Sequence, residues 1–249
     1  MKYNFPNDAK FDSEYFLRLS IACRQNCGNL IKTANLIKKV SGLRHSMFCR
    51  YTASEELQKA IFCMLVHREY MKKEQISLIF AKHEAKIILY EKIFNVGSGL
   101  TIDNQEFILD GVPLKQLDLK RIIEENKEFG VQYMKKRNDC MYVRPGEKEI
   151  HSPSKEADFE QEETRMISEI STLNGLWEML WKYEFKGKFS GLSCSRIITD
   201  GKPVYEISST GGILVERKNY RPKWAEDVDE QVHSSNHTFY YDSELKKAT

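Results

Sequence analysis

Apolar positions recur at steps of three and four through five long stretches of the chain, the spacing of helices that bury one face. The first stretch runs from Asp12 to Val40, with Phe16, Leu19, Cys23, Leu30 and Ile37 on one side and Ser41-Gly42 as its stop. The second covers His45 to Met71. A short Lys72-Lys73 link leads to a third over Glu74 to Phe94. The fourth covers Leu117 to Met141 and ends before Pro145-Gly146. The fifth runs from Ser154, behind Pro153, to Phe185, with Met166, Ile170, Leu173, Trp177, Leu180 and Trp181 inward.

Two stretches break this rhythm. GSGLTIDNQEFILDGVPL (97–114) mixes turn residues with two short β-like runs and reads as a loop or hairpin. After Gly187, β-branched runs with Asp-Gly and Gly-Gly turns read as a small strand unit, and the polar end from Ala225 reads as loosely held. The expected architecture is therefore mainly α: an antiparallel helical bundle over residues 1–186, then a strand-rich extension and polar tail over 187–249.

Composition narrows the function classes. A chain of 249 residues with 41% hydrophobic and 30% charged residues is of ordinary globular make-up. A formal net charge of +2 means that any nucleic-acid contact must come from a local basic patch. No apolar run reaches the roughly 20 residues needed to span a bilayer, and the first residues lack a secretory signal. The six cysteines form no C-x-x-C pair. The expectation is a soluble, reduced, cytoplasmic chain without membrane contact. No P-loop and no nucleophile elbow occurs, and no cofactor is expected. His233 and His237 are separated by SSN, which argues against the helix that would align them on a metal. KNYRPKW (218–224) interleaves cations with aromatics in the manner of a single-strand binder, although such a stretch is more often ordinary surface.

Three places could carry chemistry. On the second helix Phe48, Tyr51, Glu55, Lys59, Phe62 and Val66 share a stripe, and the opposite stripe is apolar too. Such a helix is buried, so its carboxylate and ammonium need partners. On the third, His83 takes an aliphatic place in the stripe Ile76, Phe80, Ile87, Tyr90, Phe94, with Lys86 one turn on. It reads equally as a buried neutral histidine or as a functional one. Antiparallel packing of these helices would bring Glu55, Lys59 and His83 together. Third, KKRNDCMYVRPG places Arg137 on a partly apolar face. On local evidence Lys135, Lys136 and Arg137 complement a helix C-terminus.

ASEELQKA, then FAKHEAK, then KKRNDCMYV and HSPSKE, in this order and spacing, resemble the AbiV family of abortive-infection proteins, within the α-helical HEPN superfamily. The matching positions are Glu55, Glu56, Leu57, Lys59 and Ala60, then His83 and Lys86, then Arg137, Tyr142 and Val143. Gln58 stands where glycine is usual and Arg144 where aspartate is common. The resemblance covers about residues 15 to 180. It implies a HEPN-like bundle, a homodimer, and a bacterial anti-phage effector that shuts down translation.

Many HEPN proteins are metal-independent ribonucleases with an arginine, a polar residue and, after a short spacing, a histidine. The resemblance thus assigns Arg137 to the scissile phosphate, with Asn138 beside it. Tyr142 occupies the histidine position and is a poor base at neutral pH, so His83 is the candidate substitute. Glu55, Glu56, Lys59 and Lys86 would bind and orient. RNA or the translation machinery would be the target and a phage-encoded protein the trigger. The competing reading is a non-catalytic module of the same fold that sequesters a phage protein or part of the translation machinery.

Overall fold

The computed structural model describes residues 11–94, 99–139, 144–145, 150–151, 156–193, 198–199, 202–209, 212–217 and 238–241. Among these, seven α-helices form most of the mass, a mainly α fold as expected. Helix α1 (Ser13–Ser41) starts on Asp12, whose carboxylate accepts the Tyr15 N–H at 2.8 Å. Gly42, at φ 84°, turns the chain straight into α2 (Leu43–His67), a conformation other residues resist.

Helix α2 is buried on nearly every side, between α1 and α7 (Glu156–Lys182), as its two apolar stripes require. Buried polar pairs fix the three helices laterally. Arg24 of α1 reaches Asn174 (3.0 Å) and Glu178 (2.8 Å) of α7 and lies over the Trp177 ring. Arg50 of α2 reaches Glu163 of α7 at 2.7 Å and Asn35 of α1 at 2.9 Å.

Two expected helices are interrupted. The third is a 3-10 turn (Lys73–Gln75), α3 (Ile76–Ala81) and α4 (His83–Phe94), broken where Lys82 is extended. The fourth is α5 (Leu119–Glu125) and α6 (Lys127–Asp139), broken at Asn126, whose side-chain amide donates to the Ile122 carbonyl at 2.8 Å. That bond gives the backbone an alternative to helix. At Gly130 α6 comes so near α4 that a Cβ there would stand 2.7 Å from Ile88 Cδ1 and 2.9 Å from Glu84 Cβ.

The hairpin expected over 97–114 is present as β1 (Leu100–Asp103), β2 (Glu106–Leu109) and β3 (Val112–Pro113). Asn104 and Gln105 both have positive φ, as a two-residue primed turn demands. Two-residue strands β4 (Arg144–Pro145) and β5 (Ile150–His151) pair with each other before α7.

The chain then forms β6 (Tyr183–Lys186), β7 (Lys188–Ser193), β8 (Ile198–Thr199), β9 (Lys202–Ser209), β10 (Ile213–Glu216) and β11 (Thr238–Tyr241). Strands are found after Gly187 as expected, but the fifth helix stops at Lys182, short of the expected Phe185, because Tyr183–Lys186 pairs with β10 as a strand. The hairpin shares one sheet with β7, β8, β9 and β11, ordered β11-β9-β7-β1-β2-β3 with β8 on β9, while β6 and β10 pair with each other. Phe185 and Phe189, fully buried, join the core of α1, α2 and α7. The end read as loosely held contributes β11, parallel to β9. KNYRPKW and His233 with His237 lie outside the described residues. No helix among the described residues is long and apolar enough to cross a membrane.

Candidate functional site

The face of α2 that carries Glu55 looks toward α4 and α6, and Glu55 is 2% exposed there. A carboxylate at that depth must be compensated. Three basic side chains converge on it. His83, the first residue of α4, sets Nδ1 2.7 Å from Oε2. Lys86, one turn further along α4, places Nζ 3.5 Å from Oε2. Arg137, in the last turn of α6, brings Nε to 3.0 Å from Oε1. The Arg137 contact is close but out of line for a hydrogen bond, so neither Nε nor Oε1 has a hydrogen-bond partner. The guanidinium lies 4.8 Å from the Phe48 ring centre, and its Nη1 is 3.5 Å from Asn138 Oδ1.

Exposure separates the three. Lys86 is buried, and burial pulls its pKa down against the opposing pull of Glu55. The Arg137 side chain is 12% exposed. His83 is 61% exposed. The core-facing place expected for His83 is therefore corrected. The break at Lys82 puts it at the start of a new helix, where only Nδ1 faces inward. An ionised carboxylate can only accept, so Nδ1 is the donor in this hydrogen bond.

Lys59 does not join this cluster. It pairs with Glu56 one turn back, and its ammonium sits 5.6 Å from the Phe80 ring centre of α3. The expected meeting of Lys59 with His83 fails because Glu55 is already ringed by three bases, while Glu56 and the Phe80 ring face Lys59. The structure thus brings Glu55, His83, Lys86, Arg137 and Asn138 together and sets Glu56 with Lys59 apart. Tyr142 lies outside the described residues.

A neighbouring polar network was not anticipated. Arg165 of α7 grips Glu162 through Nε (2.9 Å) and Nη2 (2.7 Å) and Glu169 through Nη1 (2.8 Å). Tyr51 donates to Glu162, and both Ser54 and Tyr133 donate to Glu169 Oε1. Burial, then Glu169, pushes the Tyr133 hydroxyl well above its ordinary value, so it stays a donor. The signal lay in spacing. Tyr51, Ser54 and Gln58 fall at i, i+3 and i+7 on α2, as do Glu162, Arg165 and Glu169 on α7. Of the three on α2, only Tyr51 lies in the stripe that Glu55 and Lys59 mark.

A family model described as AbiV matches residues 16–170. No curated protein and no solved structure matches the chain.

Proposed function

The chain belongs to the AbiV family, HEPN-type proteins of abortive-infection defence, and from that premise we propose that it halts translation by cutting RNA at the Glu55 cluster without a metal. The observation that carries this reading is the charge count at the cluster. One carboxylate faces an arginine, a lysine and an imidazole, and the imidazole is the part open to solvent. Such a surplus of basic groups suits a phosphodiester.

In this mechanism Arg137, with Asn138 beside it, holds the non-bridging oxygens of the scissile phosphate. Glu55 fixes the His83 tautomer, and Nε2 takes the proton from the ribose 2′-hydroxyl. The 2′-oxygen bonds to the adjacent phosphorus while the bond to the 5′-oxygen breaks. The leaving oxygen takes a proton from solvent or from the Tyr142 phenol. The products are a 2′,3′-cyclic phosphate and a 5′-hydroxyl. The protein acts as a homodimer in the cytoplasm, and a phage-encoded protein triggers it.

The test is cleavage of total tRNA and ribosomal RNA by the purified protein in the presence of a chelator. The expected outcome is cyclic-phosphate ends, with Arg137→Ala and His83→Ala each folded and slower by about 10²–10⁴-fold. RNA left intact by the wild-type protein, with the phage trigger supplied, would overturn the reading.

One observation favours a second reading. Arg137 is nearly buried and already faces Glu55, as a purely structural pair would. On that reading the protein sequesters a phage protein or part of the translation machinery, and a stably folded Arg137→Ala variant stays fully toxic.

A further inference from the structure

Beside the Glu55 cluster lies a cavity of about 180 Å³ between α2, α4, α6 and α7. Gln58, three positions after Glu55, Tyr133, four before Arg137, and Lys136, next to Arg137, are among its lining residues. Gln58 is 1% exposed, and its Oε1 has no hydrogen-bond partner. The amide cannot simply be turned over to cure this. Ser54 spends its hydroxyl proton on Glu169, so towards Gln58 it can only accept, which directs Nε2 to Ser54 at 3.3 Å and Oε1 away. A buried acceptor without a donor is costly, and because Gln58 lines the cavity, a shift of its amide would offer Oε1 to a donor held there.

The rim differs from the floor. Phe129 is 41% exposed at the edge, and Lys136 is exposed there too. The charged lining residues are two carboxylates, Glu91 and Glu169, against Lys136 and Arg165, so the cavity carries no surplus charge for a bare anion. A neutral ring with an N–H donor fits better. An apolar cavity of roughly 150 Å³ accepts one benzene ring, so this volume matches one six-membered ring and is small for a fused pair.

Building on the RNA reading above, we infer that this cavity takes a pyrimidine base of the RNA strand, turned out of its stack, with a base N–H donating to Gln58 Oε1 and the ring set against Phe129. The base next to the scissile phosphate would then be read by Gln58, and the cleavage would be pyrimidine-selective.

The experiment is fluorescence-anisotropy binding of the full chain to 2′-O-methyl hexamers, which cannot be cut. Hexamers of uracil, cytosine, adenine and abasic sugar are compared. The expected result is that at least one pyrimidine hexamer binds about tenfold more tightly than the adenine and abasic ones. Gln58→Met and Phe129→Ala should each erase that preference and leave adenine binding as it was. Phe129 is partly exposed, so its variant carries the test should Gln58→Met fail to fold.

Equal affinity for all four hexamers would overturn the base pocket while leaving the RNA reading standing. Preference for adenine would overturn the ring-size argument. Pyrimidine mononucleotides binding as tightly as the hexamer would put a free nucleotide there and overturn the strand assignment. Failure of every hexamer to bind, with the phage trigger supplied, would remove both readings together.

Discussion

Glu55 holds the α4 and α6 cations to α2, and its loss would leave Lys86 and Arg137 in a buried place without the carboxylate they share. Glu55→Ala is expected to cost about 3–5 kcal/mol, the range for a broken buried pair, and urea unfolding measures it. Removing Lys59, half-buried in its pair with Glu56 on the same helix, should cost less than Glu55→Ala by the same measurement, because it strands one carboxylate rather than two buried cations. His67 offers a pH test. Its Nδ1 lies 2.9 Å from the Ser13 carbonyl, and burial lowers its pKa below the ordinary 6.5 despite that bond. The unfolded chain therefore binds the proton more readily. The stability this histidine contributes is fully present above pH 6.5 and is lost as pH falls through the lowered folded value. The melting temperature of His67→Gln should fall less than that of the wild type between about pH 7 and about pH 5; parallel curves would contradict the assignment. Glu55 and His83 were legible in the sequence because each interrupts an apolar stripe. The partner of Lys59 was not, because i−3 and i−4 acids on one helix cannot be told apart until the facing helices are placed.

At the level of helices and strands, the five expected helical stretches and the hairpin are present, and the breaks are what periodicity missed. The apolar rhythm runs straight through Lys82 and Asn126, since an extended residue or a side-chain bond to the backbone leaves that rhythm intact. The Lys82 break is what turns His83 outward, so the site depended on a feature with no signature in spacing. Gly130 is similar: in sequence a weak point of a helix, in space the contact that lets α6 lie against α4. Gly130→Val should destabilise the fold by about 1–3 kcal/mol, the usual cost of overpacking. On the proposed function it should also slow RNA cleavage beyond its effect on stability, because Arg137 and His83 sit on the two helices it pushes apart. Unfolding and cleavage measured together would separate the effects, and a variant with unchanged rate and stability would refute the close approach.

The strands after α7 are bound to the rest through β1 and β7, which pair Ile102 with Phe189 and Asp103 with Lys188. Phe185 and Phe189 also fill the core beside Phe107. A chain cut after Lys182 would leave that part of the core open. It is expected to lose the cooperative thermal transition and to bind a hydrophobic dye such as ANS. A sharp melt equal to that of the full chain would instead make the strands an independent extension, the division at 186/187 expected from sequence. Composition marked where strands begin but could not say what they pair with, because pairing across more than eighty residues leaves no local trace.

That long-range closure has a consequence in time. Glu55, His83 and Arg137 leave the ribosome well before α7 and β7, yet α2 has no cover on one flank, and β1 no partner on one edge, until those segments follow. Contacts so distant along the chain form late and slowly. On the proposed function, a protein that stops translation would thus mature only after α7 and β7 had been made.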